Sequence, residues 1–264
     1  MTEQKDIKKE IDKWLKSQGY PLEMKVASEL RNAGFNVHLS HYYSDPENET
    51  IREIDVVATY PEYTGCLDIS FVIECKVSKK NPWLLFSTAH TLEGFNRLFA
   101  FCINSDSARG ALVGKDVETF IKLPWMKKKG RTAYGITQAF TSGEDMTFKA
   151  TTSVLTAAIA RKRKLNKQSW KPFVFVFPII IVDSALFECY LNDSGKVVIE
   201  SLQDIDLFFP WRIGEDIGTC IHIFTFDRLS AFISEAKSVA EALSSLLELD
   251  VKAKLENDIK KKTI

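Results

Sequence analysis

The sequence has 264 residues, enough for one large domain with a sizeable buried core, and its 45% hydrophobic and 27% charged residues are ordinary for a globular protein. Its 35 basic residues balance 35 acidic ones, so the net charge argues neither for nor against a polyanionic partner. The longest apolar run, residues 173–182, contains a proline and is shorter than the roughly 20 residues that a membrane-spanning helix needs. We therefore predict no membrane partner.

The N-terminus and the cysteines indicate the compartment. Residues 1–13 are polar and highly charged, unlike a secretory signal peptide. The five cysteines form no CxxC pair, and three of them lie inside apolar runs. These features predict a cytoplasmic protein whose thiols are reduced and mostly buried.

Two helices followed by three strands are predicted for the N-terminal part. Apolar residues at helical spacing predict a short helix in residues 7–15, and a second helix begins at Pro21 and ends at Gly34. Short polar turns separate the strands that follow. These three strands span residues 35–43, 51–60 and 67–77.

The remainder alternates helical and strand patterns, and residues 104–146 give only an indistinct pattern of short helices and a loop. The predicted helices span residues 83–103, 147–165 with a basic end, and 228–249. The predicted strands span residues 173–182, 186–191, 197–202 and 220–226, the middle two forming a hairpin around the turn at 192–195. Residues 250–264 are expected to be a frayed polar tail.

Three charged residues lie inside apolar strands, where an unpaired charge costs several kcal/mol. Asp55 follows Ile54 in one predicted strand, and Glu74 and Lys76 share one face of the next. If these strands are neighbours, the two carboxylates converge. Paired carboxylates with open positions suit Mg²⁺, and a lysine beside the ion could orient or deprotonate an attacking water.

The pattern Asp55…Glu74-Cys75-Lys76, preceded by a helix that carries Glu23, resembles the PD-(D/E)XK nuclease superfamily. The resemblance covers roughly residues 20–100 and departs from the family pattern in having no proline before Asp55. It implies an α/β fold with a restriction-endonuclease-like core, a central mixed β-sheet flanked by helices. It also implies a single nuclease domain that cleaves nucleic acid and requires Mg²⁺ or Mn²⁺.

The resemblance assigns roles to individual residues. Asp55 and Glu74 would bind the metal together with the main-chain carbonyl of Cys75, and Lys76 would be the catalytic lysine. Glu23 would be an accessory ligand or orienting group, with Glu29 as the alternative. Along the chain, the domain would comprise an N-terminal helix (1–19), a catalytic core (20–103), a helical basic insert (104–171), additional strands with a C-terminal helix (172–249) and the tail (250–264).

Basic residues interleaved with aromatic ones can bind phosphates and stack on bases. Three such clusters predict contacts with nucleic acid, although each could equally be a solvated surface, and Trp83 could instead cap the core. The predicted contact residues are Lys79, Lys80, Trp83, Lys127, Lys128, Lys129, Arg131, Arg161 and Arg163.

Several functions remain open at this stage. A DNA endonuclease, as in restriction or phage defence, is the first expectation, since most members of the family act on DNA. An RNA- or tRNA-cleaving enzyme of the same fold is an alternative. A non-catalytic module that binds nucleic acid or protein is another, although retention of Asp55, Glu74 and Lys76 favours catalysis. A homodimer and an activating protein partner are both compatible with the sequence.

Overall fold

The computed structural model describes residues 2–15, 18–89, 100–115, 131–141, 143, 145–210 and 218–262. Its helices are α1 (Thr2–Leu15), α2 (Tyr20–Asn32), α3 (Asp106–Leu112), α4 (Met146–Asn166), α5 (Leu229–Leu246) and α6 (Glu248–Lys262). Its strands are β1 (Asn36–Ser44), β2 (Ile51–Thr59), β3 (Leu67–Val77), β4 (Trp83–Thr88), β5 (Ile103–Asn104), β6 (Thr132–Gln138), β7 (Phe173–Asp183), β8 (Leu186–Leu191), β9 (Val197–Leu202), β10 (Asp204–Phe209) and β11 (Thr219–Thr225).

The described strands form one large mixed sheet of eleven strands, which confirms the predicted α/β class with a central mixed sheet. Its order is β1-β2-β3-β7-β11-β10-β6-β4-β8-β9, and β5 pairs with β7 outside this path. β1, β2 and β3 form an antiparallel meander, whereas β7 runs parallel to both β3 and β11. The apolar β7 therefore lies in the interior of the sheet, where both of its faces are covered.

Helices cover both faces of the sheet, each over its own hydrophobic core. The buried residues Leu22 and Val26 of α2 pack with Phe232 of α5 in one core. On the opposite face, Val154 and Ala158 of α4 belong to the second core. Helix α4 packs on this face against β1, β2 and β3, and it therefore lies close to the charged residues of β3.

The ends of α2 follow the sequence prediction. Pro21 lies in its first turn, and Gly34 follows its end with a φ of 95°, a conformation that glycine adopts without steric cost. The amide of Phe35 donates to the Leu30 carbonyl at 3.1 Å and directs the chain into β1. The predicted hairpin of β8 and β9 is also confirmed, with Gly195 at a φ of 73° in its turn.

The predicted helix over residues 83–103 is wrong for its first part, which is strand β4. Trp83, Leu85 and Ser87 are buried while the residues between them are half-buried, so the segment has the period of a strand. β4 pairs with β6 and β8, which are distant in sequence. The residues 90–99 of the predicted helix lie outside the described ranges.

The predicted frayed tail is helical as far as Lys262. Leu247, fully buried, joins α5 to α6, and Val251 packs against the same core. The Lys115 ammonium lies 2.6 Å from the Asp250 carboxylate. These contacts hold the start of α6 against the domain, although the composition of residues 250–264 alone predicts a solvated segment.

The prediction that the cysteines are mostly buried is confirmed, because four are buried and Cys189 is half-buried, and all five are free thiols. Within the described part of the chain, no helix has both the length and the apolar character needed to cross a membrane.

Candidate active site

A local irregularity in β2 positions Asp55. The register pairs Leu39 with Val56 and His41 with Ile54, and Ser40 between them has a φ of 48°. Ile54 and Val56 would share a face in a regular strand, yet they pack into opposite cores. The alternation therefore breaks at Asp55.

At the break, the Asp55 carboxylate accepts a hydrogen bond from a main-chain amide of β3, in place of a main-chain carbonyl of β2. β2 and β3 are neighbouring antiparallel strands, as the sequence analysis required, and their paired residues end at Val56 and Ile73. Two residues beyond Ile73, the amide of Cys75 donates to Oδ2 of Asp55 at 2.7 Å. This bond brings the Asp55 carboxylate beside Glu74 and Lys76.

The Lys76 ammonium lies among the oxygens of the predicted metal ligands. Its Nζ donates to the Glu74 carboxylate and to the Cys75 main-chain carbonyl, the latter at 3.2 Å. The same Nζ lies 3.8 Å from Oδ2 of Asp55. Three oxygen-bearing groups therefore surround one cationic centre.

Glu23 and Glu53 complete the acidic surroundings of the site. They line, with Asp55 and Lys76, a cavity of about 300 Å³ between α2 and the ends of β2 and β3. Glu53, two residues before Asp55 in β2, is exposed, whereas Asp55 is half-buried. Glu29, the alternative to Glu23, is exposed elsewhere on α2.

Two residues that the sequence did not indicate support Glu74. Ser153 of α4 donates from Oγ to Oε2 of Glu74 at 3.2 Å, and the Tyr43 hydroxyl donates to the Ser153 carbonyl at 3.4 Å. Glu74 is only 6% exposed, so these contacts fix a carboxylate that has little access to water. Both partners are far from Glu74 in sequence, and no local pattern could have predicted them.

The carboxylates of the site are crowded in a poorly solvated place. Burial raises the pKa of Glu23 to about 7, and the charge of Asp55 raises it further, while Lys76 opposes the change. Burial likewise raises the pKa of Asp55 and of Glu74 despite the adjacent ammonium. Burial alone would lower the pKa of Lys76, but Glu74 and Asp55 outweigh it and raise that pKa.

The donor set fits a hard divalent cation, although no group of three His, Cys, Asp or Glu in the described residues is already arranged around an ion position. The groups that contact Lys76 Nζ are two carboxylates and one carbonyl, which are oxygen ligands of the kind that Mg²⁺ prefers. All three groups stabilise the positive charge at the position of the Lys76 ammonium. Asp55, Glu74 and the Cys75 carbonyl could therefore hold Mg²⁺ or Mn²⁺ once Lys76 Nζ withdraws, with Glu23 beside them.

The structure separates the predicted nucleic-acid contacts into groups. Trp83 has 0% exposure, so the expectation that it stacks on a base is wrong, and the indole instead belongs to the core. Arg131 forms a two-pronged ion pair with Glu188 and lies over the Tyr190 ring at 3.5 Å, which gives it a structural role. Arg161 is likewise directed inward, with an Nη2 to Asp68 Oδ2 distance of 2.7 Å.

The other predicted contacts remain on the surface or outside the described residues. Lys79 is exposed and lies 3.7 Å from the Asp183 carboxylate, and Lys80 is exposed. Arg163 lines a second, larger cavity and donates to the Pro46 carbonyl at 3.1 Å. Lys127, Lys128 and Lys129 lie outside the described residues.

No family model, curated protein or solved structure matches this chain.

Proposed function

We propose that this chain is a metal-dependent phosphodiester hydrolase that cleaves nucleic acid, with DNA as the first substrate to test. The observation that carries the proposal is the convergence of Asp55, Glu74 and the Cys75 carbonyl on the Lys76 ammonium. A structural ion pair needs one carboxylate for one ammonium. This site holds an excess of buried carboxylates, and a divalent cation would neutralise that excess.

The arrangement also supports a restriction-endonuclease-like core. Helix α2 precedes the meander of β1, β2 and β3, and the Asp and Glu-x-Lys segments lie on adjacent strands. These are the order and pairing that the sequence resemblance implies. The later strands extend the same sheet on the other side of β7.

The residues would divide the hydrolysis between them. A bound divalent cation would supply charge neutralisation at a phosphoryl oxygen. Lys76, whose Nζ donates to Glu74 and to the Cys75 carbonyl, would donate hydrogen bonds to the attacking water or to the phosphate. Water adds to phosphorus as one P–O ester bond breaks, and the leaving oxygen takes up a proton from solvent, which leaves a phosphomonoester and a hydroxyl. Glu23, which lines the same cavity as Asp55 and Lys76, is placed to accept the proton of that water.

The test is a cleavage assay on plasmid DNA, linear single-stranded DNA and total tRNA, each with Mg²⁺, with Mn²⁺ and with chelator. Asp55→Ala and Lys76→Ala are compared with the wild type. Glu23→Gln is compared with Glu29→Gln, a matched change at an exposed position of the same helix. The proposal is supported if cleavage depends on metal and is lost in Asp55→Ala and in Lys76→Ala. Glu23→Gln should weaken cleavage, whereas Glu29→Gln should not. The polymer that is cleaved identifies the substrate.

Other outcomes would overturn or narrow the proposal. A folded wild type that neither cleaves any of the three polymers nor binds a divalent cation in calorimetry would exclude catalysis and leave a binding module. Cleavage that persists in Lys76→Ala and Asp55→Ala would place the activity at another site or in a contaminant. Cleavage of tRNA alone would replace DNA with RNA as the substrate.

A further inference from the structure

A cavity of about 780 Å³ lies beside the candidate active site, between the β1–β2 end and the C-terminal half of α4. Small-molecule sites in proteins typically have volumes of about 300–1,000 Å³. The inner wall of this cavity is apolar. Its apolar lining residues are Ile54, Val57, Val72, Ala157, Ala160 and Leu165.

The mouth of the cavity is basic. Arg163, Lys164 and Lys167 line it from the end of α4, and Lys164 and Lys167 are exposed and have no ion-pair partner among the described residues. Two acidic residues, Asp45 and Glu49, line the opposite side. The Asp45 carboxylate is already paired, because Nε of Arg52 lies 2.6 Å from it.

The electrostatic effect of this basic mouth reaches the His41 ring, which also lines the cavity. Burial lowers the pKa of His41, and the charges of Arg161 and Lys164 lower it further. The potential inside the cavity therefore favours an anion over a cation. An anionic group on a ligand would gain charge-assisted contacts from the two exposed lysines.

The cavity is separated from Glu74 by a thin wall. Tyr43 and Asp45 line both this cavity and the adjacent one that contains Glu74. The Tyr43 hydroxyl donates to the Ser153 carbonyl, and the Ser153 hydroxyl donates to Glu74. A ligand in the cavity would therefore contact Tyr43, which is linked through Ser153 to Glu74, a predicted metal ligand.

We propose that this cavity binds one nucleotide, with the base against the apolar wall and the phosphate at Lys164 and Lys167. A nucleotide combines a flat base, whose faces are apolar, with a charged phosphate, which matches the two parts of the lining. The same chemistry is offered by a free mononucleotide and by one residue of a nucleic-acid strand. The inference does not rest on hydrolysis at Asp55 and Glu74, since binding requires neither metal nor cleavage.

The test measures binding to the full chain by calorimetry in chelator, where cleavage does not occur. The probes are 5′-AMP, a single-stranded 12-nucleotide DNA and inorganic phosphate. One variant, Lys164→Glu with Lys167→Glu, reverses the charge of the mouth. A second, Ala160→Phe, fills the apolar wall without changing charge. Lys162→Glu, on the same helix but not lining the cavity, is the matched control.

We expect AMP, the oligonucleotide or both to bind more tightly than phosphate. The double charge reversal should weaken this binding at least about tenfold, as the loss of charge-assisted contacts predicts, while the control stays within about twofold of the wild type. Ala160→Phe should abolish nucleotide binding but leave phosphate binding. Equal affinity for AMP and the oligonucleotide identifies a free-nucleotide site, whereas binding of the oligonucleotide alone identifies a subsite for a strand.

The inference is overturned if neither AMP nor the oligonucleotide binds more tightly than phosphate, or if the double charge reversal leaves their affinity unchanged. Because Lys164 and Lys167 are exposed, their substitution leaves the core intact and decides the question even where Ala160→Phe does not fold. The result is independent of the cleavage assay: binding without cleavage supports the pocket alone, and cleavage without nucleotide binding here supports the active site alone.

Discussion

β2 and β3 carry two groups of poorly solvated charges. In the first, which we call the arginine cluster, Arg161 contacts Asp68, Ser70 and Thr59. One guanidinium there faces one carboxylate and two hydroxyl groups. In the second, which we call the acidic cluster, the carboxylates of Glu23, Asp55 and Glu74 surround or approach the single ammonium of Lys76.

The difference between the clusters is one of charge balance. A balanced, hydrogen-bonded pair satisfies the groups that folding buries, and it needs no further partner. An excess of buried carboxylates destabilises the folded chain unless a cation joins it. The arginine cluster therefore fits a structural role, and the acidic cluster fits a site retained for function. Each prediction below tests this contrast, starting with the largest expected effect.

Replacing one carboxylate of each cluster by its amide should give the largest difference between the two clusters in cleavage activity and in unfolding temperature. Glu74→Gln should reduce metal-dependent cleavage by about 100-fold or more, because electrostatic groups at a reacting phosphate contribute at least that much. Its unfolding temperature in chelator should equal or exceed that of the wild type, since an excess charge is removed. Asp68→Asn, the matched change in the arginine cluster, should keep cleavage within a few-fold while lowering the unfolding temperature.

The largest loss of stability should come from the arginine cluster. Arg161→Met leaves the Asp68 carboxylate, 14% exposed, without its cation and should cost about 3 kcal/mol of unfolding free energy. Urea denaturation measures this cost. Lys162→Met on the same helix is the control, and a loss below about 1 kcal/mol in Arg161→Met would show that the pair contributes little.

The acidic cluster should make the stability of the chelated protein depend on pH. Because the pKa of Glu23 rises from 4.5 to about 7 on folding, the folded state holds a proton that the unfolded chain releases between these values. Stability should therefore fall as the pH rises from 4.5 towards 7 and then level off. The raised pKa values of Asp55 and Glu74 act in the same direction.

Unfolding temperatures measured across this range in chelator would check the expectation. Glu23→Gln should reduce the slope, and Glu29→Gln should leave it unchanged. Mg²⁺ should then raise the unfolding temperature more at pH above 7 than at pH below 5, because the carboxylates must lose their protons to bind it. A stability that rises with pH in the chelated wild type would contradict the assigned burial of these carboxylates.

The smallest effect should come from Gly19, which borders the acidic cluster. A Cβ at this position would lie 3.1 Å from Oε1 of Glu23, so the carboxylate would have to shift by a few tenths of an ångström. Gly19→Ala should weaken Mg²⁺ binding by less than about tenfold, the lower range for groups that only orient a ligand. Calorimetry measures the change against Gly143→Ala, whose added Cβ would meet nothing within 4 Å. An unchanged affinity would indicate that Glu23 does not contact the metal.

The sequence could predict the residues that break a local rule. Asp55, Glu74 and Lys76 interrupt apolar strands, so the pattern alone places them in two consecutive strands, and the pairing of these strands comes from the structure. Pro21 and Gly34 similarly define α2, because each has a conformational preference that acts within one turn.

The sequence could not predict features that depend on distant segments. The partner of Ser153 is 79 residues away, and that of Tyr43 is 110 residues away. β4 is too short for its period to be distinguished from a helix, and it is fixed by pairing with β6 and β8. The irregular φ of Ser40, which lies beside the break in alternation at Asp55, has no sequence signature either, since serine has no preference for that conformation.

Helix α4 contacts both proposed sites, and its length would fix the distance between them. Ser153 contacts Glu74 near its start, and Lys164 lies at the mouth of the nucleotide cavity near its end. At the rise of an α-helix the two positions are roughly 16 Å apart along the axis, which corresponds to about five base steps of a stacked strand. A strand anchored at Lys164 would then be cut at a constant offset from the anchored nucleotide.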